Sequence, residues 1–173
     1  MAGDAGAYGE LIARHRPSAL RVATVVLGTS ANADDVVQVA SERAWRAIGT
    51  VDADRAFRPW FLRIVANTAR NDRRAVGRRQ AAELRVALQP IDLDVPDPQS
   101  ATVTQAERDA VVAALNRLDG DTRLVIALRY FEQLSEHEMG DVLACPLGTV
   151  KSRLSRAMGR LRAELVKETV FDG

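Results

Sequence analysis

The sequence has little of what builds disulfides, metal centres or membrane spans. One cysteine, Cys145, in 173 residues excludes an intrachain disulfide, and two distant histidines, His15 and His137, with no cysteine cluster leave no zinc set. A reducing compartment, no structural metal and no cofactor are therefore expected. No apolar run approaches the roughly 18 residues of a membrane-spanning helix. The opening MAGDAGAYGE has neither the basic segment nor the apolar core of a secretion signal, so a cytoplasmic protein without membrane insertion is expected. β-rich alternation, internal repeats, glycine-rich phosphate loops and a Ser/His/Asp set are all missing, which removes strand-built folds and leaves an enzyme with little support.

What is present is apolar material and charge. Hydrophobic residues make up 47% and charged residues 27%, enough of each for globular cores under a soluble surface. The net charge of +1 hides a sorting along the chain. Residues 55–79 hold eight arginines and one acid, and residues 145–173 hold six Lys+Arg and three acids. Between them, residues 80–104 hold one arginine and four acids, and residues 105–144 four arginines and eight acids. Two basic blocks around an acidic middle suit a protein that touches nucleic acid at two places.

The most informative stretch is 135–165. Ser135 and Glu138 form a capping-box pattern, followed by the apolar Met139, Val142 and Leu143. Cys145-Pro146 announces a second helix, since proline is tolerated at a first helical position. In it Leu147, Val150, Leu154, Met158, Leu161 and Leu165 recur at threes and fours, while Thr149, Lys151, Ser152, Ser155, Arg156 and Arg160 occupy the opposite side. Two capped helices a few residues apart predict a helix-turn-helix, and cationic and hydroxyl side chains on the exposed start of its second helix suit the major groove. Cys145 is expected to be a small buried residue in the turn.

Upstream, apolar spacing predicts a helix from Leu11 to Leu27 closed by Gly28, and a second starting at Ser30 to Asn32, with Asp34 and Asp35 in its first turn and Gly49 at its end. Val36, Val37, Ala40, Ala44, Trp45 and Ile48 form its expected buried side. A third helix carries Phe57, Trp60, Phe61, Ile64 and Val65 as expected core, with Pro59 near its start. Arg63, Arg70, Arg74 and Arg78 form a stripe reinforced by Arg73 and Arg79, beside Asn67 and Asn71, a reasonable surface for single-stranded DNA. The segment QPIDLDVPDPQ, with Pro90, Pro96 and Pro98, reads as an acidic linker. Thr104 with Glu107 begins another capped helix bearing Val111, Val112, Leu115 and Leu118, a turn spans 118–121, and Leu124, Val125, Leu128 and Phe131 mark one more helix. The expected fold class is all-α: two small helical domains joined by a flexible acidic linker, the second ending in the helix-turn-helix.

These residues resemble a family. ADDVVQVASERAW and FRPWFLRIVANTARNDRR are similar to region 2, and LVIALRYFEQLSEHEMGDVLACPLGTVKSRLSRAMGRLR to region 4, of the extracytoplasmic-function sigma factors of the bacterial sigma-70 family. The resemblance implies region 2 over 1–80, a linker over 81–103 lying in the polymerase RNA channel, and region 4 over 104–173. It implies that Thr149, Lys151, Ser152, Arg153, Ser155 and Arg156 serve the minus-35 element. Asn67, with Arg70, Asn71, Arg74 and the loop 49–55, serves the melted minus-10 strand, and Asp35, Gln38, Arg43 and Arg46 dock on the clamp helices of core RNA polymerase. Promoter DNA and core polymerase are the implied partners, and an anti-sigma factor is left open.

The chain departs from the family pattern at Val39 and Ser41, which replace an acid and an aromatic on the docking helix, at Val51 in the base-binding loop, and at Ala144, where a glycine is usual and the turn is expected to be slightly strained. A dimeric helix-turn-helix repressor is the main alternative, but it leaves the N-terminal basic helix and the acidic linker unexplained. A pure interaction module leaves the two basic blocks unexplained.

Overall fold

The computed structural model describes residues 4–51, 56–80 and 105–171. Seven α-helices and no strand occur among them, so the chain is all-α. Helix α1 (Ala5–Leu27) begins where the Asp4 carboxylate accepts from the Gly6 and Ala7 N–H groups at 2.9 and 3.3 Å. It ends as expected at Gly28, whose φ of 82° is comfortable only for glycine and whose N–H donates to Thr24 O at 2.8 Å. Helix α2 (Ala33–Ala47) has Asp34 and Asp35 in its first turn, while Asn32 precedes it without a side-chain capping bond. Gly49 does not end α2: the helix stops at Ala47 and tightens into a 3-10 turn over Ile48–Thr50 that contains this glycine.

Helix α3 (Phe57–Gln80) has Pro59 in its first turn and buries Phe61, Leu62, Val65, Ala66 and Ala69 against α1 and α2. The aromatics belong to the core as expected, Phe61 fully buried and Phe57 stacked on it at 5.6 Å. Trp45 departs from expectation. It is 36% exposed and lies against the Tyr8 ring of α1, 4.8 Å between centroids, because it falls at the edge of the α2 contact rather than its centre.

The second group comprises α4 (Gln105–Arg117), α5 (Gly120–Ile126), α6 (Glu136–Leu143) and α7 (Leu147–Phe171), with α4, α5 and α6 all packed on α7. Gly120 and Asp121 belong to the first turn of α5 rather than to the turn expected over 118–121, because Asp119 already caps the helix by accepting from Asp121 and Thr122 N–H. A π-helical turn, Ala127–Phe131, extends α5. Met139, Val142 and Leu143 of α6 and Val150, Ala157 and Leu161 of α7 are buried; Cys145 is only half-buried. The expected Thr104 cap and the linker over 81–103 lie outside the described residues.

The two groups pack on each other, α5 against α1 and α6 against α3. Gly120 lies in a close approach between them: a Cβ there would lie 2.7 Å from Val26 O and 2.1 Å from Arg73 Nη1. Two charged side chains of the second group are buried in this contact, Arg123 and Glu132. Arg123 Nε donates to Val25 O at 3.2 Å, closing one of the carbonyls that α1 leaves unpaired at its end, and its Nη1 donates to Asn116 O at 3.1 Å.

Candidate nucleic-acid interface

The helix-turn-helix is built from local bonds that its sequence specifies. Ser135 Oγ accepts from Glu138 N–H at 3.3 Å, and the Glu138 carboxylate accepts from Ser135 N–H at 2.8 Å, closing the expected capping box. After α6 the chain reverses at Ala144, which holds φ 51° and ψ 48°, the left-handed conformation that a non-glycine residue adopts at a cost. Pro146 stands just before α7 rather than inside it, and its carbonyl accepts from Val150 N–H at 3.1 Å.

The first turns of α7 then present Lys151, Ser152, Arg153, Ser155 and Arg156 to solvent, with Thr149 half-buried beside them. Local contacts hold several of these side chains along the helix. Ser152 Oγ donates to Thr149 O at 3.0 Å, Arg156 Nε donates to Ser152 O at 3.2 Å, and Lys151 Nζ lies 3.8 Å from Glu136. Arg160, one turn further, binds the α5 cap through Asp119 at 2.8 Å. Burial would raise the Asp119 carboxyl, but its Thr122 bonds and the Arg160 charge hold it below its ordinary value.

On α3, Asn67, Asn71 and Arg74 are exposed. Arg70 is only partly so: its Nη1 donates to Asn67 Oδ1 at 3.3 Å and its Nε to Asp121 of α5 at 2.8 Å. Arg73 is likewise only partly in the solvent-facing stripe, since its Nη1 donates to Val26 O at 3.2 Å and its Nη2 lies 3.8 Å from Asp121. The side chains of Arg78 and Arg79 lie outside the described residues, as do residues 52–55 of the expected base-binding loop. On α2, Asp35, Gln38, Arg43 and Arg46 are all exposed. Gln38 donates to Glu42 at 3.4 Å, and Arg43 donates to Thr68 of α3 at 3.1 Å.

A contact the sequence does not reveal centres on Glu132, 2% exposed at the end of the π turn. It accepts from Arg21 of α1 at 2.7 Å and pairs with Arg58 of α3. Burial pushes its carboxyl up, and the hydrogen bonds from Arg21, Ser18 and Arg58 together with the Arg21 charge outweigh this and hold it below its ordinary value.

Residues 11–79 match the family model for sigma-70 region 2, and residues 114–163 that for sigma-70 region 4. The chain is 32% identical over 173 residues to RNA polymerase sigma factor NccH of Alcaligenes xylosoxydans xylosoxydans, covering 97% of this chain and 91% of that protein. The chain belongs to the extracytoplasmic-function sigma factors of the sigma-70 family. It is a transcription initiation factor that binds core RNA polymerase and directs it to promoters with minus-10 and minus-35 elements. The ECF sigma-E factor of Escherichia coli K12 is likewise 32% identical over 164 residues, covering 90% of this chain and 84% of that one. The structure of CnrH with the cytosolic domain of CnrY is similar, with TM-score 0.65 and 30% identity over 96% of this chain and 92% of that one. The sigma factor RpoE of Bartonella quintana, in complex with the anti-sigma factor NepR, shares the fold with TM-score 0.72 at 24% identity over 92% of this chain and 96% of that one. In this sigma factor no helix among the described residues is long and apolar enough to cross a membrane.

Proposed function

We propose a residue-level division of labour for this sigma factor. Thr149, Lys151, Ser152, Arg153, Ser155 and Arg156 read the minus-35 element as duplex. Asn67, Arg70, Asn71 and Arg74 hold the melted minus-10 strand, and Asp35, Gln38, Arg43 and Arg46 dock on core polymerase. The domains follow as 1–80, 81–103 and 104–173. The protein acts in the cytoplasm, by binding rather than by catalysis, and an anti-sigma factor is among its partners, as NepR is for the similar sigma factor RpoE of Bartonella quintana. The observation that carries this reading is the cluster of exposed cationic and hydroxyl side chains on the first turns of α7, behind a capped helix and a tight turn.

Arg74 and Arg156 line one cleft between α3 and α7. Elements centred near minus 10 and minus 35 lie about 25 base pairs apart, on the order of 80 Å at 3.4 Å per pair. One promoter cannot reach both faces while they share a cleft, so the two regions separate on polymerase. The free protein therefore binds promoter DNA weakly, and core enzyme, by fixing the spacing, converts this to tight and specific binding. Anisotropy titrations with and without core, on a promoter and a scrambled duplex, test this. Specific binding in the roughly nanomolar range by the protein alone would favour a dimeric repressor instead.

A further inference from the structure

The cleft between the two regions has a property that neither DNA face has by itself. It is a cavity of about 570 Å³, within the size range of small-molecule sites, and it is lined by five arginines: Arg70 and Arg74 from α3, Arg153, Arg156 and Arg160 from α7. Asp121 is the single acid in its wall and is engaged by Arg70, while Arg160 is paired with Asp119. Arg74, Arg153 and Arg156 have no carboxylate partner among the described residues. Guanidinium groups brought together from two regions repel, and a concave wall concentrates their field. An anion between them relieves that repulsion and gains charge-assisted, fork-shaped hydrogen bonds. Cations reaching in from opposite walls call for an anion with several charged groups along its length rather than a single one. The apolar lining is Val125, Leu143 and Ala157, with no aromatic ring on which a base could stack, so recognition falls on the charges.

We propose that the arginine cleft between α3 and α7 binds a short linear polyphosphate, free or as the phosphate chain of a nucleotide, which bridges the two regions. Because the site exists only while the regions are packed together, its occupant stabilises that arrangement by linkage. Competition with promoter DNA follows as a consequence. The competition rests on the proposed DNA contacts; the binding itself does not.

The test is calorimetric titration of the full chain with sodium tripolyphosphate at low salt, where electrostatic binding is least screened, together with thermal unfolding in the same buffers. One saturable site per chain is expected. Arg74→Ser and Arg153→Ser, on different regions, should each weaken that single event by about tenfold, the equivalent of one charge-assisted hydrogen bond. Tripolyphosphate should raise the unfolding temperature of the parent more than that of either variant. Arg14→Ser, on the exposed side of α1, should bind like the parent. ATP binding tighter than tripolyphosphate assigns the site to nucleotides, and equal or weaker binding assigns it to the free chain. The proposal is overturned by the absence of saturable binding, by two independent sites each lost with one substitution, or by an equal loss in Arg14→Ser.

Discussion

The two regions hold their cations in different ways. On α7, Arg156 leans on its own helix through Ser152 O, and Arg153 and Lys151 remain exposed, so the conformation of these side chains is set within one region even though Arg153 and Arg156 line the cleft. On α3, Arg73 is bound to Val26 O within its own region, and Arg70 is bound to Asp121, a contact that exists only because α5 lies over the end of α1. The Asp121 carboxylate occupies the Arg70 guanidinium that the proposed minus-10 contact requires. Sequence supplies both helices with arginines at similar spacing, and tertiary contact decides that one set is available while the other is partly engaged. On the proposed assignment, the α7 cations are exposed in the closed protein, whereas Arg70 of α3 is released only when region 4 moves away.

The largest effect on this difference is expected from Glu132→Ala. Removing one partner of a buried ion pair costs about 3–5 kcal/mol when the other charges stay buried. Arg21 and Arg58 are 35% and 32% exposed, so solvent recovers part of that, and about 2–3 kcal/mol is expected. Urea unfolding should show the loss, and small-angle scattering a larger radius of gyration. An unchanged radius and stability would mean that Glu132 does not hold the regions together. The pH dependence has a definite sign. The folded carboxyl titrates below its ordinary value, so its contribution is present in full above about pH 4.3 and is lost as pH falls through the lower folded value. The variant should therefore lack part of the parent's acid-induced opening.

Arg156→Ala and Lys151→Ala sharpen the comparison from the other side. Each should lose about 1–3 kcal/mol of promoter affinity in the presence of core polymerase if its contact is to a base edge. A change of base preference at one position distinguishes reading from phosphate contact. Neither should alter the radius of gyration, since both residues are exposed. Parent-like transcription by both variants would remove α7 from the recognition role.

A smaller effect, about 1 kcal/mol, is expected from Gly120→Ala. The added methyl meets two neighbours of unequal give. Arg73 Nη1 at 2.1 Å ends a flexible side chain and can swing, but Val26 O at 2.7 Å is backbone and cannot. Overpacking of this kind costs about 1–3 kcal/mol, offset by up to about 1 kcal/mol of helix propensity. The variant should unfold earlier and loosen the contact between regions. A stability gain would show that α5 can retreat from α1 freely.

What the sequence makes legible is whatever neighbours along the chain decide. The Ser135–Glu138 box, Gly28 as the end of α1, the apolar faces of α6 and α7 and the strained position at Ala144 all rest on residues within one or two turns. The contact between regions is illegible for the opposite reason. Glu132 meets its arginines across 111 and 74 residues, and Arg123 reaches Val25 across 98, so no local periodicity marks them. Arg73 belongs to a regular basic stripe in sequence, and nothing local shows that its guanidinium is shared between Val26 O, 47 residues away, and Asp121. Trp45 and Gly49 depart from the spacing for a related reason, since spacing gives the apolar side of a helix but not where the helix or its contact ends.

The smallest effect is expected from Ala144→Gly, and its sign is favourable. Ala144 sits at φ 51° and ψ 48°, where an alanine costs about 1–2 kcal/mol relative to glycine. Glycine gives back about 0.4–1 kcal/mol through the greater freedom of its unfolded chain. The methyl is exposed, so removing it leaves no cavity. The balance is a stabilisation of about 0.5–1 kcal/mol, or a rise of roughly 1–4 °C in unfolding temperature for a chain of this size. Because the side-chain hydrogen bonds of Glu132 and Arg123 among the described residues run to Arg21, Ser18, Arg58, Val25 and Asn116 and not to this turn, the radius of gyration should stay at the parent value while the helix-turn-helix becomes more stable. That would separate the strain inside region 4 from the contact that holds region 4 on region 2. A lower unfolding temperature would mean that the turn relaxes around alanine without strain, and the departure at this position would then have no energetic consequence.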